Sequence, residues 1–276
     1  MKVSICGCGW LGFPLAVSLV AKGIDVWGSK QQAIAAQALE KKGISGVAIT
    51  LPDDLDNHQR RDEITDFLNA DILIINIAPG RHQGADQDFI TNVSLLSQNA
   101  KLAGCKHVLF ISSTGVYGSA CGQITESTQA QPDTKSSKAH AQLEQHLLSE
   151  WGENAVVLRL AGLIGPNRHP VKFLSGRAGL EHGKDRVNLI HQIDCIEAIG
   201  CIIDQWPKHQ VFHLAAPSHP TRERYYSCMA QKAGLVEPEF LPSFDRDSKV
   251  VDATITCEEL SFSFAYPDLI KLKPEI

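Results

Sequence analysis

The run Asp71–Ile77, "DILIINI", is continuously apolar from Ile72 to Ile75, with none of the polar alternation of a strand that has one face in water. A run of this kind is buried on both faces, and that happens in parallel sheets covered by helices on either side. "HVLFISSTG", beginning at His107, has the same character. Around these two runs, segments with helical apolar spacing alternate with strand-like ones. Helices are predicted over Leu11–Lys22, Gln31–Lys42, Asp62–Asn69, Gln87–Ala103 and Lys135–Glu150, with Gly23 and Gly104 ending the first and fourth. Strands are predicted at Met1–Cys6, Ile24–Gly28, Gly46–Leu51 and Ala155–Leu160. Repeated strand–helix–strand units specify an α/β fold, a Rossmann-like doubly wound parallel sheet.

Beyond Gly165 the alternation loosens. Asp194 reads as the N-cap of a helix running to Ile203. Val211–Leu214 reads as a strand and Thr221–Gly234 as a helix, after which Pro238 and Pro242 lead into an irregular tail. The expected organisation is a nucleotide-binding domain over 1–165, to which 188–217 returns. Residues 166–187 and 218–276 then form a smaller substrate-binding cap.

Composition removes several classes of function. The 276 residues carry a net charge of −5 and no Lys/Arg run, so nucleic acid is not an expected partner. No stretch of about 18 apolar residues exists to span a membrane. The eight cysteines are dispersed and form no C-x-x-C pair, which fits neither a disulfide framework nor a zinc site. No metal is expected, and free thiols suit a reducing cytoplasm.

"ICGCGWLG" (5–12) admits three readings: the apolar stretch of a signal peptide, a pair of metal-gripping thiols, or a phosphate-cradling turn. Gly7, Gly9 and Gly12 interrupt the first, and isolated Cys6 and Cys8 do not make the second. The third fits the context, since G-x-G-x-x-G here leaves a predicted strand and opens a helix. Gly7 then permits the tight turn, Gly9 lets a pyrophosphate approach the backbone, and Gly12 packs the helix on the sheet. Trp10 and Leu11 complete the turn that faces the phosphates. At the end of the second strand an NAD site carries an acidic residue for the ribose 2′-OH. Ser29 and Lys30 stand there instead, with no carboxylate to repel a 2′-phosphate and a cation to pair with it, so NADP is favoured over NAD.

Four further stretches carry a resemblance: "NVSLLSQNAKLAGCKHVLFISSTGVYG" (92–118), "LRLAGLIGPNRHP" (158–170), "NLIHQIDCIEAI" (188–199) and "VFHLAAP" (211–217). In order and spacing the chain resembles the extended short-chain dehydrogenase/reductase superfamily, its NAD-dependent epimerase/dehydratase group acting on nucleotide sugars. The resemblance implies that Ala78 and Pro79 touch the adenosine half of the cofactor. It implies that Ser113 hydrogen-bonds the reacting sugar oxygen, and that Asn188, His191 and Asp194 lie where the chain returns to the sheet. Structural roles compete for the last two, His191 as a satisfied histidine and Asp194 as a cap.

The superfamily's catalytic pair is Tyr-x-x-x-Lys on the helix after Ser113. Here that helix reads "PDTKSSKAHAQLEQHLL". Lys138 is available with Thr134 four residues before it; a register taken from Glu144 gives Ser136 and His140 instead. No tyrosine occurs between Tyr117 and Tyr225. An aliphatic hydroxyl is far less acidic than a phenol of pKa about 10, so Thr134 does not simply replace it. The G-x-G-x-x-G spacing also departs from the G-x-x-G-x-x-G of most extended members. Both departures resemble the atypical branch of the superfamily.

Two functions follow. One is an NADP-dependent oxidoreductase or epimerase with Ser113, Lys138 and Thr134 as candidate catalytic residues; a proton is then handled by His140, by Thr134 through water, or by the substrate. The other is a silent NADP-binding sensor. A hydroxyacid dehydrogenase is a weaker third. The small-molecule substrate, a nucleotide sugar by resemblance, is not legible, since Arg177, Arg186, Arg222 and Arg224 suit either anion clamps or solvated surface. Oligomeric state stays open, a homodimer among the options.

Overall fold

The computed structural model describes residues 1–244 and 247–276. Its elements begin with β1 (Lys2–Cys6), α1 (Gly12–Ala21), β2 (Asp25–Lys30), α2 (Ala33–Gln37), β3 (Ser45–Ala48), α3 (Arg61–Leu68), β4 (Ile72–Ile75), α4 (Ala85–Leu102) and β5 (His107–Ser113). They continue with β6 (Gln123–Ile124), α5 (Lys135–Trp151), β7 (Ala155–Leu160), β8 (Gly162–Ile164), α6 (Val171–Leu174), β9 (Leu189–His191) and α7 (Gln192–Gln205). β10 (Val211–Leu214), α8 (Arg222–Ala233), β11 (Val250–Val251) and α9 (Thr254–Glu259) complete the chain.

Seven strands form one sheet in the order β3-β2-β1-β4-β5-β7-β10. The pairs from β3 through β5 are parallel, with Ile5 beside Gly28 on one side and Ile74 on the other. β4 is buried throughout, as its unbroken apolar sequence requires. Chain order reverses between β1 and β4, and in such sheets a crevice opens at that switch, outside the carboxyl ends of the strands. Gly7 follows β1 and Asn76 follows β4, so the glycine turn lies at this crevice.

Contacts divide the chain into two compact units. The first holds residues 1–112, 132–158 and 206–211. Its core runs from Phe67, Leu73 and Ile75 through Phe89, Val93 and Leu96 of α4 to Leu143, Leu147 and Trp151 of α5. The second holds 113–131, 159–205 and 212–276, with a core of Val171, Leu189, Tyr225, Met229 and Leu269. These bounds differ from the expected ones. The segments after β5 and β7 join the second unit, where β8 pairs with β9 and β6 with β11 in two small parallel sheets.

Two expected elements change form. The helix expected over Gln31–Lys42 is α2 followed by a tight 3₁₀ turn, Glu40–Lys42. β3 packs against its backbone so closely that a Cβ on Gly46 would fall 1.9 Å from the Ala36 carbonyl oxygen. Asp194 is not an N-cap: α7 starts at Gln192, and the Asp194 Oδ1 accepts the N–H groups of Ala265 and Tyr266 at 2.6 and 3.4 Å. The carboxylate ties down a late segment of the chain rather than the end of its own helix. That segment is not wholly irregular, since it contains β11 and α9.

Candidate functional site

The glycine turn is built from three strands. Gly7 has φ +104°, and a Cβ there would sit 2.5 Å from the Asn76 carbonyl oxygen. Only glycine meets both demands. The Gly7 N–H donates to the Ser29 Oγ at 3.0 Å, the Cys8 N–H donates to the Ser29 carbonyl, and the Asn76 Nδ2 donates to the Gly7 carbonyl at 2.9 Å. β2 and β4 thus clamp the turn leaving β1. Burial pushes the Cys6 thiol up to about 11 and that of Cys8 to about 12, so both stay protonated at neutral pH.

Beside this turn lies a cleft of about 590 Å³, a volume typical of small-molecule sites. Gly7, Ser29, Lys30 and Ala78 line it, as do Ile49, Leu51, Phe89 and Asn92. Gly9, Trp10, Leu11, Gly12 and Pro79 are not in its wall. Leu11 turns its side chain into the core, where it is buried, and the Gly12 Cα faces the Gly7 carbonyl in the tight packing of α1 on the sheet. Ser29 is buried too, and its hydroxyl already accepts from Gly7, so it shapes the turn from within the cleft wall. At the rim the His82 Nε2 and Asp88 Oδ2 are 2.8 Å apart and exposed.

A dinucleotide fits this cradle on one direct observation. A Cβ built on Gly9 would meet no protein atom within 4 Å, and the residue is exposed. Glycine at this position answers to no packing need of the chain itself, which is what close approach of a ligand phosphate requires. The start of α1 brings its positive dipole end nearby, while its Phe13 and Leu15 N–H groups are already given to the Gly9 and Leu11 carbonyls and Pro14 has none.

The candidate catalytic residues divide between the units. Ser113 is in the second, where its Oγ accepts the Gly115 N–H at 3.1 Å and starts a short 3₁₀ turn. Thr134 and Lys138 are in the first. Thr134 is the N-cap of α5, its Oγ1 accepting the Ser137 N–H at 3.1 Å in a reciprocal capping box. Lys138, on α5, is exposed.

The inner face of α5 carries Ser137, His140 and Glu144, all buried. Glu144 accepts a hydrogen bond from the Ser112 Oγ at 2.5 Å, which anchors the helix to the end of β5. One turn earlier, the His140 ring lies 5.0 Å from that of the cleft residue Phe89 and 6.0 Å from Phe110. Its Nδ1 is 2.8 Å from the Ser136 carbonyl, an acceptor only, so Nδ1 carries the proton and Nε2 the lone pair. Burial holds its pKa below the usual histidine value. The signal in the sequence was Glu144: the register counted from it selects His140, and that counted from Lys138 does not.

Other groups have structural work. Asn188 donates to the Lys249 carbonyl and accepts the Val251 N–H, pinning β11. Arg186 and Arg222 donate to the carbonyls of His219 and Glu181. Tyr117 of the "SSTGVYG" stretch is buried, with its Oη 2.9 Å from the His213 Nδ1 and accepting from Arg159 Nη1 at 2.9 Å.

Residues 4–215 match the profile of the NAD dependent epimerase/dehydratase family. Protein YeeZ of Escherichia coli (strain K12) is 36% identical over 268 residues, spanning 97% of each chain. Among solved structures, the Bordetella bronchiseptica enzyme WbmH in complex with NAD+ superimposes with TM-score 0.79 at 18% identity, covering 98% of this chain and 94% of that one. UDP-glucuronic acid 4-epimerase from Bacillus cereus in complex with NAD gives TM-score 0.77 at 18% identity, covering 99% and 97%. No helix among the described residues is long and apolar enough to cross a membrane.

Proposed function

The chain belongs to the NAD-dependent epimerase/dehydratase family, and from that premise we propose that it is an NADP-binding oxidoreductase or epimerase acting on a hydroxyl- or keto-bearing nucleotide sugar. What supports the cofactor half is the glycine turn, with Gly9 exposed and unpacked and with Gly7 and Lys30 both lining the cleft beside it. Lys30 would pair with a 2′-phosphate, and Ile49 and Leu51 offer apolar wall to a base. When bound, the nicotinamide supplies hydride transfer, and the protein supplies binding, orientation and proton handling.

On α5 the proton-handling group is His140 rather than Thr134. The Thr134 hydroxyl is committed to the helix cap, whereas the His140 Nε2 retains a lone pair on the buried face beside Phe89. The family's tyrosine has no counterpart on this helix. A second reading, a binder without turnover, is favoured by that same lack of a phenol. The chain's eight dispersed cysteines, none of them in a disulfide among the described residues, support the further reading that it works in a reducing compartment such as the cytoplasm.

Fluorescence titration with NADPH and NADH tests the cofactor. NADPH is expected to bind at least about tenfold tighter, the effect of one added charge-assisted hydrogen bond, and tighter NADH binding would refute the assignment to NADP. Incubating the loaded protein with UDP- and dTDP-sugars, followed by NMR, separates the two readings. Epimerised, oxidised or dehydrated product supports the enzyme; intact sugars with tight cofactor binding support the binder.

A further inference from the structure

The second unit contains a small cavity of about 40 Å³ near α8, walled by apolar Ile164 and Met229 together with His169, Tyr225, His191 and Tyr266, and closed by the segment Leu272–Glu275. The proton positions follow from the backbone. His169 Nδ1 accepts the Val171 N–H at 3.2 Å, so its proton is on Nε2 and is donated to the Tyr225 Oη at 3.0 Å. The Tyr225 Oη therefore accepts, and its own hydrogen remains to be given. Among the described residues no acceptor is placed for it, although Tyr225 is fully buried. His191 Nδ1 likewise accepts the Ile193 N–H at 3.2 Å, leaving an N–H on Nε2. Two neutral donors thus border one cavity.

The covering segment supplies an imperfect acceptor. The Glu275 Oε1 lies 3.6 Å from the His191 Nε2, beyond hydrogen-bond length, and the Glu275 side chain is 55% exposed. Upstream the segment is well held: the Lys232 Nζ donates to the Ile270 and Leu272 carbonyls, and Asp194 holds Ala265 and Tyr266. Past Leu272, among the described residues, no backbone hydrogen bond holds Lys273, Pro274 or Glu275. Their hold is the burial of Pro274 and the loose Glu275 contact.

We propose that this cavity is a binding site for a carboxylate-bearing small molecule, and that Lys273–Glu275 is a displaceable strap whose Glu275 carboxylate occupies the ligand's place. Two neutral donors match a monoanionic carboxylate; a phosphate dianion would demand a fixed cation, and the one cation in the wall, Lys273, belongs to the strap that must be displaced. Lifting the strap removes Pro274 and Lys273 from the wall and enlarges the space. The inference rests on the second unit alone and is independent of the dinucleotide reading.

The probe is D-glucuronate, with D-glucose as the matched neutral sugar, followed by ligand-observed NMR on the full chain. Glu275→Gln, a substitution at a half-exposed position, is expected to tighten glucuronate binding about threefold or more, because the competing carboxylate is lost. Tyr225→Phe in that background is expected to weaken it about tenfold, the loss of one hydrogen bond to a charged ligand. Glucose is expected to respond to neither change. NADPH binding, measured on the same samples, and an unchanged melting profile report that each variant is folded. His191→Gln, which keeps an N–H donor, serves as the second variant if Tyr225→Phe fails to fold, and it should retain most of the affinity while His191→Leu loses it. Equal binding of glucose and glucuronate, no gain in Glu275→Gln, or undiminished binding after donor removal would overturn the proposal.

Discussion

Gly7 and Gly9 stand two residues apart in one turn, and the structure assigns them opposite penalties on substitution. An alanine at position 7 would hold φ near +104° and press its Cβ to 2.5 Å from the Asn76 carbonyl oxygen. Backbone strain of about 1–3 kcal/mol and overpacking of a similar size put the loss of stability at about 3 kcal/mol. For a chain of this length that lowers Tm by about 6–12 °C. At position 9 an added Cβ meets no protein atom within 4 Å and the residue is exposed, so Gly9→Val should change stability by less than about 0.5 kcal/mol. Its side chain would instead fill the place proposed for the pyrophosphate. Losing two charge-assisted hydrogen bonds costs about 3–6 kcal/mol, a rise in the NADPH Kd of about 10²–10⁴-fold. The assay is a thermal melt of each apo variant paired with an NADPH titration. Gly9→Val with parental affinity, or Gly7→Ala with parental Tm, would refute the division of labour argued for this turn.

Lys30→Asp should reverse the cofactor preference, weakening NADPH by about tenfold and strengthening NADH, as read by paired titrations. Thr256→Val removes the single hydroxyl whose one hydrogen is shared between the buried Glu126 Oε1 at 2.7 Å and the His213 carbonyl at 2.8 Å. Leaving those acceptors short costs about 2–3 kcal/mol, visible as a lower denaturant midpoint with an unchanged m-value. Acid should begin to destabilise the fold well above the usual carboxylate range. Burial lowers His169 from 6.5 to about 4, so its contribution is complete above pH 6.5 and is lost as pH falls from 6.5 to 4. That shift corresponds to about 3 kcal/mol. His140, His213 and His219 are lowered as well and act in the same sense, while the raised carboxyl of Asp194 opposes them. A flat denaturation midpoint between pH 6.5 and 4.5 would contradict this.

The sheet was legible because its signal is local. An apolar run without alternation, as in Ile72–Ile75, can only be a strand covered on both faces, and β7 and β10 begin and end where their composition says. The glycine turn was legible because its constraint is steric and written in consecutive residues. What escaped depends on partners distant in sequence. Asn76, the clamp on Gly7, reads as the end of an apolar strand until β4 is placed beside β1. Asp194 has the composition of an N-cap, yet two N–H groups 71 and 72 residues away claim its carboxylate. Cleft residues such as Ile49 and Leu51 lie in segments with no motif of their own. Spacing along α5 also does not say that Lys138 is exposed where Ser137, His140 and Glu144 are buried.

The face matters because it decides what chemistry α5 can offer. Glu144 fixes the inner face through Ser112, and His140 one turn away is the titratable side chain it brings beside Phe89. A phenol serves by giving and taking a proton near pKa 10; an imidazole whose pKa burial has lowered takes one less readily, and only through Nε2. Any turnover through His140 should therefore be slow and should rise with pH through the range where the ring loses its proton. His140→Phe preserves an aromatic ring against Phe89 and Phe110 and removes only the nitrogens, including the bond to the Ser136 carbonyl. NADPH affinity should stay within about threefold of the parent, because His140 is not in the wall of the cleft. Turnover of a responsive sugar should fall about 10²–10⁴-fold, the usual worth of general acid–base help. Turnover that survives His140→Phe with its pH dependence intact would mean that the proton travels through the substrate or through water, and that α5 serves only to hold the cofactor domain together.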